Sequence, residues 1–449
     1  VQLARRPGDA AFVDDGLEDP ERCEVHAFSS FENDAFRIIQ FRRSGRHLML
    51  GGRMVAEPRP VSASTAAAVG LAGLASAMGV GRFAFTPLLP LMQQWGGITL
   101  AQGGTLAGAN YLGYLAGAVA CMLVAPAPHR AARLGLVAVA VLTAGMGLSA
   151  SFEAWLALRF LAGVASAFVL VGVSAWTLPI LAARRRASWS GWVFSGVGVG
   201  IVLGGLVGLG AGVRGLPPAR AWLLLGACAG VVAVAAWGRI SAAPAHARPP
   251  DAGAVAAVGG AWRAVLAYGA FGFGYIVPAT FLPAAARQLV PDPAVFGWTW
   301  PVYGVAAAAS TALTARLWAG VPPRRLWTRA QLVMAAGVLA PALRTSVATL
   351  LLSALLVGGT FMIVTMAGMQ EARRMAPGSG ARLMAGMTAA FAAGQLAGPF
   401  TVTLLPAAPG DALTVPLAVA AGILVLGAFA LARPAPTPAA TLHEERSAP

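Results

Sequence analysis

Met78–Pro90 reads MGVGRFAFTPLLP, and Phe271–Pro283 reads FGFGYIVPATFLP. In both, a Gly-x-Gly is followed by a Pro eleven positions after its first Gly: Gly79, Gly81 and Pro90 against Gly272, Gly274 and Pro283. Each segment lies in an apolar run long enough to cross a bilayer, which takes about 20 residues at 1.5 Å rise per residue. From Thr65 onward twelve such runs recur, at 66–90, 101–125, 134–150, 154–179, 188–212, 221–238, 262–286, 295–318, 327–343, 347–370, 383–405 and 412–432. The third and ninth are the shortest. The Pro/Ala/Gly-rich stretch Arg239–Ala261 is the longest break and separates six runs from six. Gly200 and Gly204 of the fifth run also match Gly394 and Gly398 of the eleventh, and an Ala-Arg-Arg precedes each, at Ala183–Arg185 and Ala372–Arg374. Such weak symmetry between six-span halves marks secondary transporters, whose substrate sits near the midplane between the halves.

Composition leaves few other classes open. Of 449 residues, 57% are hydrophobic and 11% charged, with a mean hydropathy of +0.71. Soluble domains carry about 25% charged residues. The net charge of +15 comes from 32 basic residues, all of them Arg, against 17 acids. Basicity alone would suggest nucleic acid, but this chain lacks the polar surface such a module needs, so no nucleic-acid partner is expected. With no Lys there is no P-loop. The Gly-rich fifth and eleventh runs are helix-packing surfaces instead. Cys23, Cys121 and Cys228 form no disulfide framework or metal motif, and the five His show no ligand spacing. No cofactor, no metal and no enzyme chemistry are expected.

Charge is unevenly placed. Residues 1–60 hold 10 acids and 9 Arg, leaving 7 acids and 23 Arg for the rest. The first 60 residues therefore read as a disordered extension, or as the product of a start codon set upstream of Met54. With the N-terminus inside, fifteen inter-span Arg fall in cytoplasmic loops and four (Arg214, Arg220, Arg287 and Arg344) in the opposite ones. The positive-inside rule then places both termini in the cytoplasm. The expected domains are the extension 1–60, a six-helix bundle 61–238, a cytoplasmic linker 239–261, a second bundle 262–433 and a tail 434–449.

MGVGRFAFTPLLPLMQQ (78–94), followed by AGANYLGYLAGA (107–118), resembles the major facilitator superfamily (MFS), and within it the YbfB/YjiJ branch. YGAFGFGYIVPATFLPAAAR (268–287) and GTFMIVTMAGMQEARR (359–374) extend the resemblance over about residues 62–433. Arg159 and Gly163 match the superfamily's Arg-x-x-x-Gly pattern in the fourth span. The break after the second span, APAPHRAAR (125–133), keeps Arg130 and Arg133 but lacks the acid of the superfamily's motif. The resemblance implies an all-α membrane protein with the MFS fold, twelve transmembrane helices in two pseudo-symmetric bundles. It implies a monomeric, multi-pass protein of the cell (inner) membrane, in contact with lipid and with a small-molecule substrate.

Two Arg lie well inside spans, where a charge costs about 2.5–3.5 kcal/mol on insertion scales. Arg82 stands about 24 Å into the first span and Arg159 about 8 Å into the fourth from the opposite side, so both fall at comparable depth. No Asp or Glu shares that depth. Either they hold an anionic group of the substrate, or they bond backbone carbonyls, snorkel outward or support the fold. Asn110 and Tyr114, four residues apart, share one helical face, with Tyr111 beside them. Tyr275 occupies the repeat position of Arg82, and Thr86, Thr280, Trp300, Tyr303 and Gln395 complete the candidate lining. Packing or helix–helix bonding is the competing role for the Asn, Trp and Tyr. Glu153, Asp292 and Asp411 read as outer, Asp251 and Glu371 as cytoplasmic, with Glu371 set to pair locally with Arg373 and Arg374. A proton-coupling carboxylate in the membrane is therefore not expected. The expected function is secondary transport of a small organic solute, anionic or amphiphilic, by alternating access. The alternative is a transport-inactive receptor or interaction protein on the same fold.

Overall fold

The computed structural model describes residues 43–44, 47–50, 53–56, 61–241, 261–289, 298–376, 379–404 and 414–432. Residues 1–42, most of the linker, the tail, Asp251, Asp292 and Asp411 lie outside them, as does the side chain of Thr280. The chain forms two units, 1–60 and 61–449. In the first, strands β1 (Arg43–Ser44), β2 (His47–Leu50) and β3 (Arg53–Ala56) pair antiparallel in that order, with Met49 opposite Met54. Gly51 and Gly52 separate β2 from β3, the two-residue spacing of a tight hairpin. The expectation of a disordered extension names no such strands.

The second unit contains twelve long helices among its described residues. The first six are α1 (Ala63–Gly96), α2 (Leu100–Val124), α3 (Pro128–Leu148), α4 (Phe152–Ala183), α5 (Ser190–Val213) and α6 (Pro218–Trp237). After the linker come α7 (Trp262–Leu289), α8 (Thr299–Leu317), α9 (Pro323–Leu343), α10 (Val347–Met375), α11 (Gly380–Leu404) and α12 (Thr414–Ala432). Nine of them are long and apolar enough to cross a membrane. Their boundaries follow local chemistry. Ser62 and Ser151 cap α1 and α4, accepting bonds from Thr65 N and Ala154 N. Thr99–Gln102 and Ser346–Thr349 close reciprocal capping boxes on α2 and α10. Pro128, Pro218 and Pro323 open α3, α6 and α9 at the position that needs no N–H. Gly97 ends α1 at φ +64°, where a Cβ would be strained.

The edges correct the sequence reading at the third and ninth spans, which begin at 128 and 323 rather than 134 and 327. Arg130, Arg133, Arg324, Arg325 and Arg329, expected in loops, therefore ride on the first two turns of α3 and α9. Arg316, Arg373 and Arg374 occupy the last turns of α8 and α10. A span search stops at the first Arg. A helix is bounded by its ends instead: Pro128 and Pro323 open α3 and α9 ahead of their Arg, and the Arg in the last turns of α8 and α10 complement the helix dipole.

The two halves pack through equivalent glycines. A Cβ on Gly79 would come within 2.3 Å of Gly200 Cα, so α1 and α5 touch backbone to backbone. In the second half a Cβ on Gly272 would meet the Phe391 carbonyl at 2.1 Å, and one on Gly394 the Gly269 carbonyl at 2.3 Å, so α7 touches α11 in the same way. Within the halves α2 packs on α4 and α9 on α10, and between them α5 packs on α8 and α2 on α11.

Candidate functional site

Ala75–Phe83 of α1 winds as a π-helix rather than an α-helix. This wider turn holds Gly79 and Gly81 and ends on Arg82 and Phe83. Pro87 follows within the turn beyond and contributes no N–H, so a carbonyl one turn back loses its usual donor. Arg159 of α4 adds donors to two carbonyls at the end of this turn: its Nη1 donates to Gly81 O at 3.1 Å and its Nη2 to Arg82 O at 3.3 Å. Its guanidinium also lies over the Phe85 ring, 4.6 Å from the centroid. Short π-helical segments inside α-helices are frequent at functional sites.

Arg82, fixed by that turn, is buried and reaches across the molecule. Its Nη2 donates to Gln395 Oε1 on α11 at 2.7 Å, and its Nε to Asn110 Oδ1 on α2 at 3.4 Å. Asn110 in turn donates through Nδ2 to the Arg159 carbonyl at 2.9 Å. The guanidinium carbon stands 3.7 Å from the Tyr114 ring centroid, with Tyr111 at 5.9 Å and Phe83 at 5.5 Å. Asn110, Tyr114 and Gln395 have no exposed surface. Arg82 Nη1 and Gln395 Nε2 are buried donors with no acceptor among the described residues. Glu153 and Glu371 are the acids among the described residues of 61–432, and neither bonds Arg82 or Arg159. The charge thus rests on ring faces and two amide oxygens, with no carboxylate beside it among the described residues.

An aromatic band continues from this cluster into the second half. Tyr114 meets Phe391 at 6.4 Å, Phe391 stacks on Tyr275 at 6.1 Å, and Tyr275 on Phe361 at 5.3 Å. Phe361 stacks on Tyr303 at 5.5 Å, and Tyr303 on Trp300 at 5.4 Å. Phe361 also touches Phe83 edge-on at 6.1 Å, joining the band back to α1. Trp300 Nε1 is a further buried donor without an acceptor among the described residues.

Of the residues singled out from sequence, Arg82, Asn110, Tyr111, Tyr114, Arg159 and Gln395 come together at the junction of α1, α2, α4 and α11. Tyr275, Trp300 and Tyr303 lie along the aromatic band. Thr86 is half-buried one turn beyond Arg82, and the cluster's hydrogen bonds do not include it. Sequence reasoning misses Phe83, Phe361 and Phe391. Phe391 precedes Gln395 by four residues and so shares its helix face, a signal within reach; Phe361 carries no comparable one. The expected pairing of Glu371 with Arg373 and Arg374 does not form. Glu371 is buried with Oε2 unbonded, Arg373 at i+2 points to another side of α10, and Arg374 is exposed.

The family profile described as "Uncharacterised MFS-type transporter YbfB" matches residues 74–432. Among solved structures, the human organic anion transporter MFSD10 (TETRAN) is similar, with a TM-score of 0.65 at 18% identity over 84% of this chain and all of that one. At that identity the likeness speaks for the fold. No curated protein matches in sequence. A matched segment that runs from within α1 to the end of α12, and so takes in the Arg82 cluster and the aromatic band, makes this chain a multi-pass membrane protein that belongs to the YbfB family of MFS-type transporters.

Proposed function

We propose that this protein is a secondary transporter that moves a small organic anion, or an amphiphile with an anionic group, by alternating access of its two six-helix bundles. One observation carries the anionic specificity: Arg82 is buried with an unspent Nη1 and, among the described residues, no carboxylate beside it. A buried cation without a counter-ion is costly, and an anionic substrate supplies what the protein withholds. The spare Gln395 Nε2 offers a second donor, and the band of Tyr114, Phe391, Tyr275 and Phe361 offers ring faces to an apolar body. MFSD10, an organic anion transporter of the same fold, agrees with this class.

In this scheme Arg82, Asn110, Tyr114 and Gln395 contact the substrate, Tyr275, Trp300 and Tyr303 wall its path, and Tyr111 and Thr86 flank it. Arg159 is a positioning residue, since both its Nη groups are engaged by the α1 backbone. Because the bond from Arg82 to Gln395 spans the two halves, substrate competing for that guanidinium would loosen one bundle from the other. All twelve helices then cross the cell membrane, bundles 61–238 and 262–433 move as units, and both termini face the cytoplasm, in keeping with the clustering of Arg at alternate helix ends.

The test is uptake into proteoliposomes of radiolabelled organic anions, neutral sugars and cationic drugs, with and without a pH gradient. Accumulation of anions is expected, and Arg82→Gln should reduce it at least tenfold at equal protein incorporation. Transport of neutral or cationic solutes that is indifferent to Arg82→Gln would refute the assignment. Absence of any flux, with specific binding retained, would favour the receptor alternative.

A further inference from the structure

At the arginine-rich ends of the helices lies a cavity of about 240 Å³, built by both halves. Leu178 of α4 and Ser188, just before α5, line it from the first half; Leu326 of α9 and Gln370, Arg373 and Arg374 of α10 line it from the second. Gln370 is nine residues along α10 from Phe361, about 14 Å of helix, so the cavity is distinct from the Arg82 cluster. Its two guanidinium groups have no hydrogen-bond or ion-pair partner among the described residues, and no acid lines it. Arg373 is half-buried and Arg374 exposed, so the charge sits at the mouth of the cavity. Gln370 Nε2 donates to Ser190 Oγ at 2.5 Å, a direct bond between the bundles beside the cavity.

We propose that this cavity is a regulatory anion site that takes a phosphate-type group and clamps the bundles together at this end of the molecule. Paired guanidiniums match phosphate oxygens through parallel N–H donors, and basic pockets between membrane helices on the cytoplasmic side hold anionic lipid head groups. Leu178 and Leu326 give the cavity apolar surface, which suits a head group with its ester carbons. The volume is below the roughly 300–1,000 Å³ typical of pockets for drug-sized ligands, so it admits a head group or a small anion and not a larger solute. A ligand held by Arg373 and Arg374 on one side and by Ser188 on the other adds to the Gln370–Ser190 bond and opposes separation of the bundles.

Thermal unfolding of the full chain in neutral detergent tests this without relying on transport. Dihexanoyl-phosphatidylglycerol should raise the midpoint by several degrees, and dihexanoyl-phosphatidylcholine should not. R373Q/R374Q, which removes the charge, and A319W, which fills the cavity from a lining position that is exposed, should each weaken the apparent affinity at least tenfold. An equal shift with inorganic phosphate assigns the site to a free anion; a shift with the glycerol lipid alone assigns it to a head group. Hydrogen exchange on the wild type should slow on both sides of the cavity, at 187–190 and 366–374. An equal response to phosphatidylcholine, an unchanged response in both variants, or protection confined to α10 overturns the proposal.

Discussion

Gln395 sets how firmly Arg82 ties one bundle to the other, since a neutral amide accepts the guanidinium bond. Gln395→Glu would convert a bond with one charged partner into an ion pair. Hydrogen bonds to charged groups contribute about 1.5–3 kcal/mol, and carboxylate pairs with Arg sit at the strong end. About 1.4 kcal/mol of added attachment is a tenfold change in an equilibrium. We expect this variant to unfold at higher temperature and to transport about tenfold more slowly, because the internal carboxylate takes the place of the substrate anion. Calorimetry and proteoliposome flux measure the two effects, and unchanged flux would contradict the role given to Arg82. Arg82, Asn110 and Tyr114 are legible from sequence because charge and amide are rare at membrane depth and therefore stand out. The role of Arg159 is not, because the same rarity fits a ligand or a carbonyl donor. Only its contacts with Gly81 O and Arg82 O separate the two.

Among the elements, the contact of α1 with α5 turns on small residues. With Gly79 facing Gly200 at backbone distance, even one methyl group must push the helices apart. Overpacking of this kind costs about 1–3 kcal/mol. Gly79→Ala should therefore lower the thermal midpoint and the yield of folded protein. Gly104→Ala on α2, where a Cβ meets nothing within 4 Å, should lower neither, since Ala is favoured over Gly inside a helix. A comparable loss in the two variants would show that this close crossing does not set the stability. The repeat of glycines is readable in the sequence, and its equivalence in space follows from it, since both halves solve the same close crossing. The π-helical stretch Ala75–Phe83 is not readable. It depends on Arg159 and the neighbouring helices holding a widened turn that local preference would close.

The whole molecule is organised by where Arg is tolerated. If alternate helix ends face the cytoplasm, Arg184→Cys and Leu148→Cys in a background lacking Cys23, Cys121 and Cys228 should label differently. A membrane-impermeant maleimide should modify Leu148→Cys on intact cells, and Arg184→Cys only after permeabilisation; the reverse pattern would invert the topology. Leu148 is the last residue of α3 and 77% exposed, so packing against the protein does not shield it. The twelve apolar runs, the division after Arg239 and the orientation bias are properties of sequence alone, because hydrophobic length and Arg placement act on each segment independently of its neighbours. Which faces meet is another matter. Apolar helices of this Ala/Gly-rich kind have little amphipathic asymmetry to aim them, so the approach of Gln395 to Arg82, the aromatic band and the cavity beside Arg373 arise from packing between residues up to 313 positions apart. Local sequence cannot encode such contacts, since their free energy exists only once both bundles are in place.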